Sequence, residues 1–197
     1  MTTNRKIIVS LALSADGFIA RPDGSVDWLD RPDPEGGYGM DAFYKSIDTI
    51  LWGRKTFEMA LEFQKQGVPG SAFDTRMKNY VFTRTLPASA APKGVEFISE
   101  PVGDFAARLR SEPGKDIWMM GGAGIIGSFL DEAAIDEFVL NVIPTFIGEG
   151  IPLMAPRHRT VPLTLITCKT FPDAVVHLHY AVQNQEPHTP AAIPEHA

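Results

Sequence analysis

Gly53-Arg54-Lys55-Thr56-Phe57 and Gly121-Gly122-Ala123-Gly124-Ile125-Ile126-Gly127 are the two stretches that decide how this chain folds. Each follows an apolar run that reads as a buried strand, Thr49–Trp52 in one case and Asp116–Met120 in the other. Each opens a segment with helical spacing. A strand–glycine–helix junction leaves bare backbone N–H groups at the positive end of a helix, where a phosphate can sit. Two such junctions in one small chain suggest one ligand with several phosphates, and so a dinucleotide.

The first junction says more than the second. Arg54 and Lys55 fall in the first helical turn, where cations oppose the helix dipole and cost roughly a few tenths of a kcal/mol each. A helix with a purely structural job would place Asp or Glu there. A bound polyanion resolves the conflict: Gly53 permits close approach, Arg54 forks onto a phosphate monoester, and Lys55 and Thr56 serve a diphosphate. A solvated basic turn is the bland alternative. Thr83-Arg84-Thr85, ending another strand, offers a second guanidinium. At the second junction Gly122 to Gly127 fit the G-x-G-x-x-G pattern. The Rossmann reading also needs an acid at the end of the next strand, where this chain has Val142-Ile143-Pro144-Thr145, and it loses on that ground. Glycines that merely let helix and strand pack closely remain the other reading.

Working outward, Lys6–Ser14 is β-rich and apolar, the pattern of a central strand buried on both faces. A long loop punctuated by Ala15-Asp16-Gly17 and Arg21-Pro22-Asp23-Gly24 runs on through Pro32 to Gly39, a length that suggests a binding loop. Helical spacing is expected over Met40–Ser46, from Arg54 to Phe63, over Asp104–Arg110, and from the second glycine cluster to about Ala134. Strands are expected at Asp48–Trp52, Lys78–Thr83, Val95–Ser99 and Asp116–Met120. Asp136–Phe146, Leu163–Lys169 and Ala174–Gln183 then follow as strands with no helix between them. Alternation followed by a run of strands implies an α/β fold: a mostly parallel central sheet, helices on both faces and an antiparallel C-terminal hairpin. One domain over 1–184 and a disordered tail over 185–197 are expected.

The bulk properties narrow the function. With 197 residues, 44% of them hydrophobic, and a net charge of −6, nothing favours a nucleic-acid or membrane surface as the main partner. The N-terminus enters a short apolar strand directly, too brief for a signal sequence, so a cytoplasmic protein is expected. The single cysteine, Cys168, reads as a buried strand residue. His177 and His179 share a strand face and read as a solvent-facing pair, not as metal ligands, and no metal is expected. No hydrolytic motif occurs. Asp16, Asp23, Asp27, Asp30, Asp33, Glu35 and Asp41 crowd the long loop, most of them as turn or capping residues.

Three stretches, Ala12-Leu13-Ser14-Ala15-Asp16-Gly17-Phe18-Ile19-Ala20, Gly53 to Glu58, and Met120 to Gly124, resemble the dihydrofolate reductase superfamily in order and spacing. Within it the chain resembles the branch holding the reductase domain of the bifunctional riboflavin-biosynthesis deaminase-reductases, through the Ser14–Ala20 loop and the Pro144–Leu153 segment. The resemblance spans roughly Ile7 to Gln183. It implies an eight-stranded sheet with NADPH lying across the strand ends. The backbones of Ala12 and Ile19 would anchor the nicotinamide carboxamide. Arg54 and Arg84, beside Thr83, would face the ribose 2′-phosphate. Gly53, Lys55, Thr56 and the Gly121-Gly122-Ala123-Gly124-Ile125 turn would hold the pyrophosphate. Asp41 is the candidate acid for the substrate, Trp28 and Phe43 the candidate walls, and Arg157, His158 and Arg159 a candidate source of cations. The implied activity is hydride transfer from NADPH to a C=N or C=O of a pterin- or pyrimidinone-like heterocycle, in a homodimer. The alternative is a protein that binds NADP(H) and a heterocycle without turnover.

Overall fold

Ile7, Ile8 and Val9 are each no more than 5% exposed, because the strand they begin has sheet on either side and helices or loops above and below. In the computed structural model, which describes residues 5–31, 37–67 and 74–183, this strand is β1 (Ile7–Ser14). The others are β2 (Phe18–Ala20), β3 (Ile47–Gly53), β4 (Lys78–Phe82), β5 (Val95–Ile98), β6 (Asp116–Gly121), β7 (Glu137–Ile143), β8 (Ile151–Pro152), β9 (Leu163–Thr170) and β10 (Val176–Val182). The helices are α1 (Met40–Ser46), α2 (Arg54–Lys65), α3 (Val102–Ser111) and α4 (Ala123–Asp131). Eight strands form one sheet in the order β5-β4-β3-β6-β1-β7-β10-β9. It is parallel from β5 to β7 and antiparallel at β7/β10 and β10/β9.

Strand alternation sends neighbouring residues to opposite faces and builds two cores. Leu51, Ile117 and Met119 face α3 and α4, packing with Phe105, Leu109, Ile126 and Phe129. Ile50, Trp52 and Trp118 face α1 and α2, packing with Phe57 and the partly buried Phe43. Phe57, Phe105 and Phe129 are at most 2% exposed, and each contributes roughly 1.5–3 kcal/mol of burial. Met40–Ser46 is helical as its spacing predicts, and the strand-only C-terminal portion is as expected, with Leu178, Tyr180 and Val182 packed on the first core.

Several expectations need correction. Cys168 is exposed, because β9 is an edge strand and every residue in it is exposed. His177 and His179 are only partly exposed, and both are tied to β7. Across the β7/β10 ladder, His177 Nδ1 meets Asn141 Oδ1 at 2.9 Å and His179 Nε2 meets Glu137 Oε2 at 2.8 Å. Sequence reading also missed the small antiparallel pair β2/β8, which is too short to carry a periodicity. The tail beyond residue 184, with His188 and His196, and Asp33 and Glu35 of the long loop lie outside the described residues.

Candidate functional site

β3 and β6 are neighbours, with Trp52 in register with Gly121, so the two glycine junctions end adjacent strands. The bodies of α2 and α4 run on opposite faces of the sheet, but their first turns meet across the strand tips. A Cβ on Gly53 would stand 3.2 Å from Ile125 Cγ2 and 3.3 Å from the Gly122 nitrogen. A Cβ on Gly122 would stand 3.0 Å from Thr56 Oγ1. Gly121 has φ +108, a conformation that suits glycine, and the Gly121–Gly122 peptide is cis. Neither helix has a side-chain cap and neither carries an acid in its first turn. Both cap residues are glycines, so no cap side chain satisfies the helices' leading N–H groups.

These junctions open into a cleft of about 1640 Å³ along the carboxyl ends of the parallel strands. Gly53, Arg54, Lys55 and Thr56 line it from α2; Gly122, Ala123, Gly124 and Ile125 line it from α4, while Gly121 is buried behind them. A Cβ at Gly124 would meet no atom within 4 Å beyond its chain neighbours and the backbone of its own helix. Arg54 is held by Glu58 one turn on, at 2.8 Å, an exposed i,i+4 pair worth only about 0.2–0.5 kcal/mol and easily exchanged for a stronger anion. Thr83 and Arg84 line the far end. Thr83 is buried, and its hydroxyl accepts from the Thr85 and Leu86 amides at 3.3 Å, shaping the turn that presents the exposed Arg84.

At the centre of the cleft the sheet comes apart. The β1/β6 ladder runs only from Ile7↔Ile117 to Val9↔Met119, whereas β1 stays paired with β7 to Ser14↔Ile143. The carbonyls of Lys6 and Ser10 both face β6, accepting from the Ile117 amide at 2.8 Å and from Trp118 Nε1 at 2.8 Å. By the two-residue period of a strand, the N–H and C=O of Ala12 face the same side, where no strand remains to bond them. Ala12 and Ile19 both line the cleft here, Ile19 reaching to within 3.9 Å of where a Gly122 Cβ would stand.

Beyond Ala12 the lining changes to Leu29, Met40, Trp118 and Ile143, with Arg31, Tyr38 and Asn141 as polar members. Three sequence-based assignments at this end need correction. Asp41 is exposed on α1 and outside the lining, because the helix turns about 100° per residue and puts Met40, not its successor, on the cleft side. Trp28 is 8% exposed and packs into a third core with Ile143 and Val175. Phe43 stands behind the wall, edge-on to Trp118 at 5.5 Å between ring centres. Trp118 itself is the wall. Arg157 and Arg159 both pair with Asp131, leaving neither guanidinium without an anion.

Asp16 and Asp27 of the long loop are structural, Asp27 accepting from Arg21 Nε at 2.6 Å. Asp16 accepts from Ser14 Oγ at 2.6 Å and from the Ile147 and Gly148 amides, clamping the loop after β1 to the segment before β8. The Ser14 bond leads in holding its pKa below the usual carboxylate range. Among the described residues, the carboxylates that line the cleft are Asp23, which accepts from the Ser25 amide, and Glu100, which pairs with Arg108. Tyr38 donates to Asp173 Oδ2 at 2.5 Å, and burial followed by that carboxylate pushes its phenol up. Asn141 and Trp118 were missed. The available signal was a polar side chain inside a strand otherwise buried on both faces.

Residues 102–177 match the family model of the RibD C-terminal domain. The uncharacterized protein YwjB of Bacillus subtilis (strain 168) is 42% identical over 176 residues, covering 89% of this chain and 97% of its own. Among solved structures, a putative riboflavin biosynthesis protein from Shewanella sp. PV-4 superposes with a TM-score of 0.78 at 26% identity, over 91% of this chain and 99% of that one. A dihydrofolate reductase from Enterococcus faecalis, complexed with NADP(H), superposes with a TM-score of 0.64 at 13% identity, over 93% of this chain and all of that one. Fold, motifs and relatives agree: the chain belongs to the dihydrofolate reductase superfamily, in its riboflavin-reductase-like branch.

Proposed function

We propose that the chain is an NADPH-dependent reductase that transfers a hydride to a C=N or C=O of a flat, pterin- or pyrimidinone-like heterocycle. The observation that carries this reading is the break in the β1/β6 ladder at Ala12, placed directly beside two touching, uncapped helix starts. The residues present suit the coenzyme. Uncapped N–H groups of α2 and α4, with the hydroxyl of Thr56, fit a diphosphate, and the space at Gly124 admits it. Arg54 and Arg84 supply guanidinium groups for a 2′-phosphate monoester, the feature that separates NADPH from NADH. The Ala12 backbone offers one donor and one acceptor to a carboxamide. Bound there, NADPH would supply the hydride.

The chain's own contribution is to orient the two reactants. Trp118 gives the heterocycle a face, and Met40, Leu29 and Ile143 close the apolar sides. No carboxylate of the described residues lines the substrate end, and in this reading solvent supplies the proton that completes reduction. That same feature favours a second reading, a protein that binds NADP(H) and a heterocycle without turnover. Stopped-flow loss of NADPH absorbance across a panel of pterins and pyrimidinones decides between them: oxidation with any member supports the reductase. Tight NADPH binding with no oxidation anywhere supports the binder, and no NADPH binding removes both. We also propose that the chain works as a homodimer.

A further inference from the structure

Asn141 lies on the floor of the substrate end, in register with Ala12 across the β1/β7 ladder and only 7% exposed. Its Oδ1 is taken by His177 Nδ1 at 2.9 Å. An amide oxygen only accepts, so the imidazole must carry its proton on Nδ1 and donate it. The Nδ2 amino group then has no protein acceptor among the described residues, and Asn141 faces a cleft. The histidine is fixed in turn: the Phe171 ring stands edge-on at 6.5 Å, and Phe171 also packs on Tyr38 at 5.0 Å. Burial, then the nearby His179 and Lys169, keep its imidazole neutral by lowering its pKa.

Resting on the reductase reading above, we propose that Asn141 is the specificity-determining residue for the heterocycle. It donates through Nδ2 to a ring carbonyl oxygen, and His177 is the positioning residue that fixes which end of the amide points at the ligand. A carboxylate at this place would select a protonated, amino-bearing edge. An oriented amide donor selects an oxo-bearing edge and leaves a bare amino group facing another donor.

The test uses the full chain loaded with NADP+, so that no turnover intervenes, and two small probes, 5-aminouracil and 2,4-diaminopyrimidine. Binding is followed by quenching of tryptophan fluorescence, and NADP+ binding by thermal shift in parallel. The wild type is expected to bind the dioxo ring about tenfold more tightly than the diamino ring. Asn141→Asp is expected to reverse that order, and Asn141→Leu to weaken the dioxo ring by about tenfold, with the NADP+ shift unchanged in both. His177→Phe should match Asn141→Leu, whereas His177→Asn, which keeps a donor where Nδ1 stood, should restore the wild-type preference; a merely structural histidine would not be rescued in this way. Failure of 5-aminouracil to bind the NADP+-loaded protein, or an order of affinities that Asn141→Asp leaves unaltered, overturns the proposal. Loss of the NADP+ shift in the wild type would instead overturn the reading beneath it.

Discussion

Trp118 donates its indole N–H to the carbonyl of Ser10 at 2.8 Å, tying β6 to β1 at the point where their backbone ladder has ended. The bond leaves the sheet joined at its core side and parted at its cleft side. Trp118→Phe keeps the aromatic contact with Phe43 but strands a buried carbonyl. We expect a loss of about 1–3 kcal/mol in urea unfolding with the slope unchanged, together with weaker binding of any flat ring. An unaltered unfolding midpoint would show that the bond contributes nothing.

Gly122 and Gly124 separate packing from ligand space. Gly124→Ala places a methyl group that meets no atom within 4 Å beyond its chain neighbours and the backbone of its own helix, so its thermal midpoint should match the wild type while its NADPH affinity falls by about tenfold or more. Gly122→Ala forces Thr56 Oγ1 to move and should lower both. Isothermal titration beside thermal denaturation distinguishes the two patterns. Equal NADPH affinity in Gly124→Ala would mean that the coenzyme does not approach α4.

Coenzyme choice should follow Arg54. Arg54→Gln removes the guanidinium and with it the pair to Glu58, a surface pair of little consequence for stability. NADPH affinity is expected to fall by about tenfold, roughly the worth of one charge-assisted contact, and NADH affinity to stay put. Discrimination between the two coenzymes that survives the change would assign the task to Arg84.

Acid should weaken the protein in two stages. His177 is held below its ordinary value of 6.5 by burial, so the folded state prefers the neutral ring. Stability present above that value is lost as pH falls through the folded pKa. Glu137 is buried, which opposes ionisation, but Lys6 and His179 outweigh burial and hold it below its ordinary 4.5. Its contribution is therefore present above 4.5 and lost as pH falls further. Asp136 acts in the opposite sense: burial raises it, so its contribution is fully present below its ordinary value and lost as pH rises through the folded pKa. His177→Asn should remove the first stage of the thermal-midpoint profile and Glu137→Gln should flatten the second.

Self-association should run through β9. Leu163, Leu165 and Ile166 are 40%, 51% and 49% exposed on an edge strand, a surface that a lone chain leaves open to further pairing. A two-fold axis beside β9 would cover it with its own copy. Leu165→Asp with Ile166→Lys is expected to give a monomer in sedimentation velocity. Identical sedimentation of the wild type and the double variant would place any interface elsewhere.

The sheet was legible because its strands carry strong local signals: apolar runs at Ile7–Val9 and Ile117–Met119, and glycines that stop them at Gly53 and Gly121. That the two glycine junctions line one cleft was equally legible, since Arg54 and Lys55 contradict the preference of a first helical turn. The substrate end was not. Its members come from β1, β6, β7, α1 and the loop before it, and nothing in the spacing of Met40 and Asp41 says which of them turns inward. Asn141 and His177 become partners only through the antiparallel register of β7 and β10, and the edge position that exposes Cys168 depends on strand order. Such properties belong to the assembled sheet, not to any window of residues.

The parted β1/β6 ladder has one more outcome. The Ala12 amide proton points at no strand, so in the free protein it should exchange with deuterated solvent far faster than the amides of Ile8 and Val9 on the same strand. A carboxamide seated in the breach would serve as a surrogate rung and slow that single proton, and the sheet would then be completed by its small-molecule guest.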